Sequence, residues 1–80
     1  MLTEVEVART RENAYSDARA FAAGRTDDAI RREIAACRPE DATCSERTAL
    51  YLRETVAELE RILGQRADAR EGAEVLEPHP

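Results

Sequence analysis

Lysine and tryptophan are both missing from this chain, and its twelve basic residues are all arginine. With alanine so abundant, that usage reads as the coding bias of a GC-rich bacterial genome or of its phages, so the missing lysine carries no mechanistic weight. Positive charge is in deficit as well, since seventeen acidic residues leave a net charge of −5. Binding to a phosphate backbone draws on counterions released to a basic face, so nucleic acid is not the expected partner. No stretch approaches the roughly 18 apolar residues that a membrane span requires. The opening Met1-Leu2-Thr3-Glu4-Val5-Glu6 is acidic where a secretory signal is basic. The expected compartment is the cytoplasm, with no membrane partner.

Groups that carry chemistry are just as scarce. The one histidine, His79, stands in a tail far from any other candidate ligand, and the two cysteines, Cys37 and Cys44, are separated by six residues. A structural zinc site needs four ligands at closer spacing, and a redox pair favours two intervening residues. Glu40, Asp41 and Glu46 also oppose a thiolate at Cys44. Glu-x-x-His pairs, a Gly-rich phosphate loop and a nucleophile elbow are all absent. No catalytic residue, cofactor or metal is therefore assigned, and the chain reads as a protein that is not an enzyme. Cys37 and Cys44 flank a tight connection and have a spacing that a disulfide can bridge, although a reducing compartment favours two free thiols.

What the sequence does contain is helical periodicity. Thr3-Glu4-Val5-Glu6 fits a capping box, with Glu6 reaching back to the first amides. Val7, Ala8, Arg11, Ala14, Tyr15, Ala18, Phe21 and Ala22 then recur on one face until Gly24, which is suited to the left-handed residue that ends a helix. Alanines at every fourth position, 14, 18 and 22, leave room for a second helix to come close. Thr26-Asp27-Asp28 opens another helix, with Asp27 to Arg31 and Asp28 to Arg32 at ion-pair spacing and Ile30, Ile34 and Cys37 on its buried edge. Pro39 disfavours helical geometry at Arg38 and stops it.

The third helix is expected from near Thr43, where Thr43-Cys44-Ser45-Glu46 resembles a capping box, although Pro39-Glu40-Asp41 is also a possible start. Ala49, Leu52, Val56, Leu59 and Leu63 follow alternating steps of three and four, and Thr48, Thr55 and Ile62 widen that stripe. Only Arg53 and Glu60 supply the flanking charge of a two-stranded zipper, so a globular arrangement is preferred to an extended coiled coil. Gly64 is one candidate end. The good helix formers Gln65 to Arg70 are a reason for the helix to continue past it. The remaining glutamates, including Glu54 and Glu58, read as a solvated face.

These features predict an all-α protein of three helices, near 3–23, 27–37 and 43–63. Two long helices and one short one form an antiparallel bundle or helical hairpin that dimerises. Residues 1–64 make one domain and 65–80 a mobile tail, partly helical at its start. At 80 residues a fold hides only roughly 60% of the surface its unfolded chain exposes, and the apolar side chains here are few, so self-association is the expected remedy.

The functional expectation is a small noncatalytic interaction or regulatory protein, an accessory, inhibitor or adaptor. It would act as a homodimer toward an unidentified protein partner. Val7, Ala14, Ala18, Phe21, Leu52, Val56, Leu59, Ile62 and Leu63 are the expected packing or oligomer residues. Leu50, Tyr51, Arg31 and Arg32 are the candidate partner contacts. Two alternatives remain. One is a nucleic-acid-linked or antitoxin-like regulator using Arg25, Arg31, Arg32 and Arg38, and the other is a thiol or metal protein using Cys37 and Cys44.

Overall fold

A computed structural model describes the backbone of residues 1–37 and 45–76 and the side chains of 1–37 and 45–70. Among the described residues there are three helices and no strand: α1 (Glu4–Ala22), α2 (Asp27–Ala36) and α3 (Glu46–Leu76). No helix is long and apolar enough to cross a membrane.

Each helix begins on a hydroxyl. Thr3 Oγ1 accepts the Glu6 amide at 3.2 Å, Thr26 Oγ1 accepts the Ala29 amide at 3.2 Å, and Ser45 Oγ accepts the Thr48 amide at 3.1 Å. Each bond satisfies one of the donors that a helix start leaves without a partner. The first cap departs from the expected reciprocal box. Glu6 does not return to a backbone amide; its carboxylate accepts the Thr3 hydroxyl at 3.2 Å and Arg47 Nη2 at 2.7 Å. The third cap is Ser45, not Thr43, which lies outside the described residues together with Arg38 and Cys44.

Helix α1 ends as expected. Ala23 is the C-cap, its amide donating to the Arg19 carbonyl at 3.1 Å, and Gly24 follows with φ +76°. Left-handed geometry costs any residue with a Cβ about 1–2 kcal/mol, and glycine escapes that cost.

Helix α3 continues through Gly64 to Leu76, as the helix formers Gln65 to Arg70 allow, so helix occupies 65–76 of the segment expected to be a tail partly helical at its start. A glycine within a helix costs only about 1 kcal/mol relative to alanine. Arg66 and Arg70, just beyond it, are anchored on the α1–α2 turn.

The two long helices pair side by side, but not as a hairpin. Their cross-links climb both helices in the same order: Glu6 with Arg47, Arg11 with Glu54, Arg19 with Glu58, and Ala22 with Arg66. Helices α1 and α3 are therefore parallel. The short α2 returns the chain between them, its first residue beside Arg66 and Arg70 and its last turn beside Tyr51 and Thr55. Because α2 runs back along the pair, the chain enters α3 at the end where α1 began, whereas a hairpin needs a direct short connection.

Where the three meet, Ala18, Ala22, Ile30 and Leu59 form the buried core, with Phe21, Ile34, Ile62 and Leu63 packed against it. Ala14 is fully buried next to them. The alanine ridge of α1 lets α3 approach, and the volume it forgoes is supplied by Ile30 and Leu59, each worth about 1.5–3 kcal/mol when fully shielded. The molecule is long and thin, measuring 60 × 24 × 17 Å.

Candidate functional site

Two regions concentrate the side chains that sequence analysis singled out: the polar seam between α1 and α3, and the half-buried apolar residues of α3.

The seam is built from matched four-residue steps. Arg11, Tyr15 and Arg19 stand on successive turns of α1, and Glu54 and Glu58 on successive turns of α3. Arg11 Nε donates to Glu54 Oε1 at 3.2 Å, and the Tyr15 hydroxyl donates to Glu54 Oε2 at 2.9 Å. Arg19 Nε donates to Glu58 Oε2 at 2.9 Å, while Arg61 donates to both Glu58 oxygens, from Nε at 2.9 Å and Nη2 at 2.7 Å.

Glu58 is only 5% exposed. Its carboxyl is lowered to about 2, chiefly by the Arg61 hydrogen bonds and further by Arg19, against the opposing effect of burial. These glutamates are therefore not the solvated face that alternating charge suggested. They tie the two long helices in register. An open groove of about 450 Å³ lies beside them, lined by Tyr15, Arg19, Ala57, Glu58 and Arg61.

The seam had a legible signal. Arg11, Tyr15 and Arg19 recur at i, i+4 along one flank of the alanine ridge, and Glu54 and Glu58 match that interval on the only other long helix. Charge sign alone could not distinguish this from solvated pairs on a single helix.

At the far end, Arg66 joins three groups. Its Nη1 donates to the Arg25 carbonyl at 2.8 Å and to Asp27 Oδ1 at 2.9 Å, and its Nη2 donates to the Ala22 carbonyl at 2.9 Å. A side chain of α3 thus closes the last turn of α1 and pairs with the first residue of α2. Arg70 reaches the other Asp27 oxygen, and the two arginines hold the Asp27 carboxyl below its ordinary range. The expected Asp27 to Arg31 and Asp28 to Arg32 pairs do not form. Asp28 pairs with Arg31 at 3.1 Å, three residues on, and Asp27 faces α3.

The expected packing residues divide by position. Ala14, Ala18 and Leu59 are buried; Val7, Phe21, Leu52, Val56, Ile62 and Leu63 are half-buried. Leu50 and Tyr51, the candidate partner contacts, are also half-buried. Tyr51 is engaged within the chain: its hydroxyl donates to Asp17, and its carbonyl accepts Thr55 Oγ1 at 2.7 Å.

The arginine group is dispersed. Arg31 is paired with Asp28, Arg25 lies over the Phe21 ring at 4.4 Å, and Arg32 is exposed, while Arg38 falls outside the described residues. Cys37 is half-buried, and burial, with Glu33 adding to it, raises its thiol above the usual range. The Cys37–Cys44 pairing involves a residue outside the described ones. Among the described residues no cluster of three or more His, Cys, Asp or Glu side chains is placed to hold a metal.

Comparison with protein-family models, with curated proteins and with solved structures yields no significant match.

Proposed function

We propose that this chain is a small noncatalytic interaction or regulatory protein that works as a self-associated helical assembly, most simply a homodimer, presenting its outer helical surface to a protein partner. One observation carries the proposal. Of the fourteen larger apolar side chains between Leu2 and Leu63, only Ile30 and Leu59 are buried, Val5 is exposed, and the other eleven are half-buried.

The seam does not suggest catalysis, because its buried carboxylate is neutralised by two arginines and its tyrosine is committed to Glu54. Nucleic-acid binding draws less support, since Arg25 and Arg31 are already engaged within the chain.

Sedimentation equilibrium from about 1 to 100 µM tests the proposal, because an associating chain shifts its mean mass with concentration. The expected result is a mass near twice 8.9 kDa at the upper end. A constant mass of one chain across the range refutes self-association.

A further inference from the structure

We infer that the outward face of α3 is a self-complementary docking surface, on which a second copy of this chain lies antiparallel about a two-fold axis passing between Val56 and Ala57. The inference rests on the self-association proposed above and assigns it to a face that holds one of the eleven half-buried apolar side chains, Val56.

The first observation is a pair of charges without a use inside the chain. Helix α3 engages Glu46, Arg47, Glu54, Glu58, Arg61, Arg66 and Arg70 in ion pairs, Glu46 with the N-terminal ammonium of Met1. Of its charges, Arg53, Glu60 and Asp68 are exposed and make none among the described residues, and the first two are spaced for a symmetric contact. They stand two turns apart on one side of the helix, about 10 Å along its axis, which is too far to pair with each other. A two-fold axis midway between them changes that. It sets Arg53 of one chain opposite Glu60 of the other and repeats the contact in reverse, as an isologous interface must.

The second observation is Gly64. It sits within α3, is exposed, and a Cβ added there would meet nothing within 4 Å. Packing inside the chain therefore gives no reason for a residue that weakens a helix. The same axis places Gly64 opposite Ala49 of the second copy, where the lack of a side chain lets two helices come close. Val56, half-buried, lies at the centre beside Ala57 of the other chain. Positions 49, 53, 56, 57, 60 and 64 are spaced by four, three, one, three and four residues. That order reads the same in both directions, as a two-fold contact between identical helices requires.

Charge reversal tests this surface on the full chain by sedimentation equilibrium, with circular dichroism confirming that helicity is retained. Arg53→Glu and Glu60→Arg should each raise the dimer dissociation constant by about tenfold, because each turns two attractive pairs into two repulsive ones. The double variant should return it close to the starting value. Net charge alone would move the two single variants in opposite directions, so weakening by both is specific to the pairing. Gly64→Leu should weaken the dimer without loss of helix. A wild-type dimer insensitive to either reversal, or a double variant that is not restored, overturns this surface and leaves self-association standing. A wild-type chain that stays monomeric overturns both.

Discussion

Replacing Glu58 with glutamine isolates what one buried carboxylate contributes to joining the two long helices. Its pKa falls from an ordinary 4.5 to about 2, because Arg61 and Arg19 stabilise the charged form more than burial disfavours it. A group with a depressed folded pKa adds stability that is complete above 4.5 and drains away as the pH falls toward 2. The full shift corresponds to about 3 kcal/mol at 1.36 kcal/mol per unit. Arg19 and Arg61 are 62% and 52% exposed, so solvent and salt screen the pairs and about 1–2 kcal/mol is the expected net value. Urea denaturation of the wild type and Glu58→Gln, at equal protein concentration, reads this directly. At pH 7 the variant should be less stable by about 1–2 kcal/mol, and at pH 3 the gap should narrow by about half, because the unfolded wild-type carboxyl is then mostly protonated. A gap of the same size at both pH values would refute the assignment of charge to this seam.

Three further substitutions probe other joints. Arg66→Ala removes the side chain that closes α1 and pairs with Asp27, and it should lower the thermal midpoint by about 4–8 °C by circular dichroism; an unchanged midpoint would show that the clamp carries no net stability. Gly24→Ala places a Cβ in open space but at φ +76°, so backbone strain alone should cost about 1 kcal/mol in denaturant titration, and a neutral result would contradict a left-handed C′ residue. Leu59→Asp puts an unpaired carboxylate into the fully buried centre of the core, and loss of most helical signal at neutral pH is expected; a fully helical variant of unchanged size would contradict the packing described.

Much of the fold can be read from the sequence because its signals are local. The hydroxyl starts at Thr3 and Thr26 and the glycine stop at Gly24 act within one turn, and the structure places each where the sequence suggests. Features that depend on contacts between helices are harder to read. Gly64 resembles a stop by itself, and the helix continues past it to Arg66 and Arg70, whose partners lie about forty residues earlier. The relative direction of α1 and α3 has no local signature, since an apolar stripe packs against a neighbour running either way. Glu54 and Glu58 look solvated for the same reason: alternating charge does not say whether the arginine that answers a glutamate is on its own helix or on the next. In the site, Ala14, Ala18 and Leu59 follow from periodicity, whereas the half-burial of Leu52, Val56 and Leu63 depends on how little of α3 the ten-residue α2 can cover.

The thermal midpoint as a function of protein concentration tests the central claim most directly, because it asks whether folding depends on meeting another chain. Binding that favours the folded state raises the midpoint by mass action. Across a hundredfold range of concentration, about 1 to 100 µM, the midpoint should climb by several degrees. A cooperative transition at one fixed temperature throughout would mean that a single chain is sufficient, and the half-buried flank of α3 would then need no second copy to cover it.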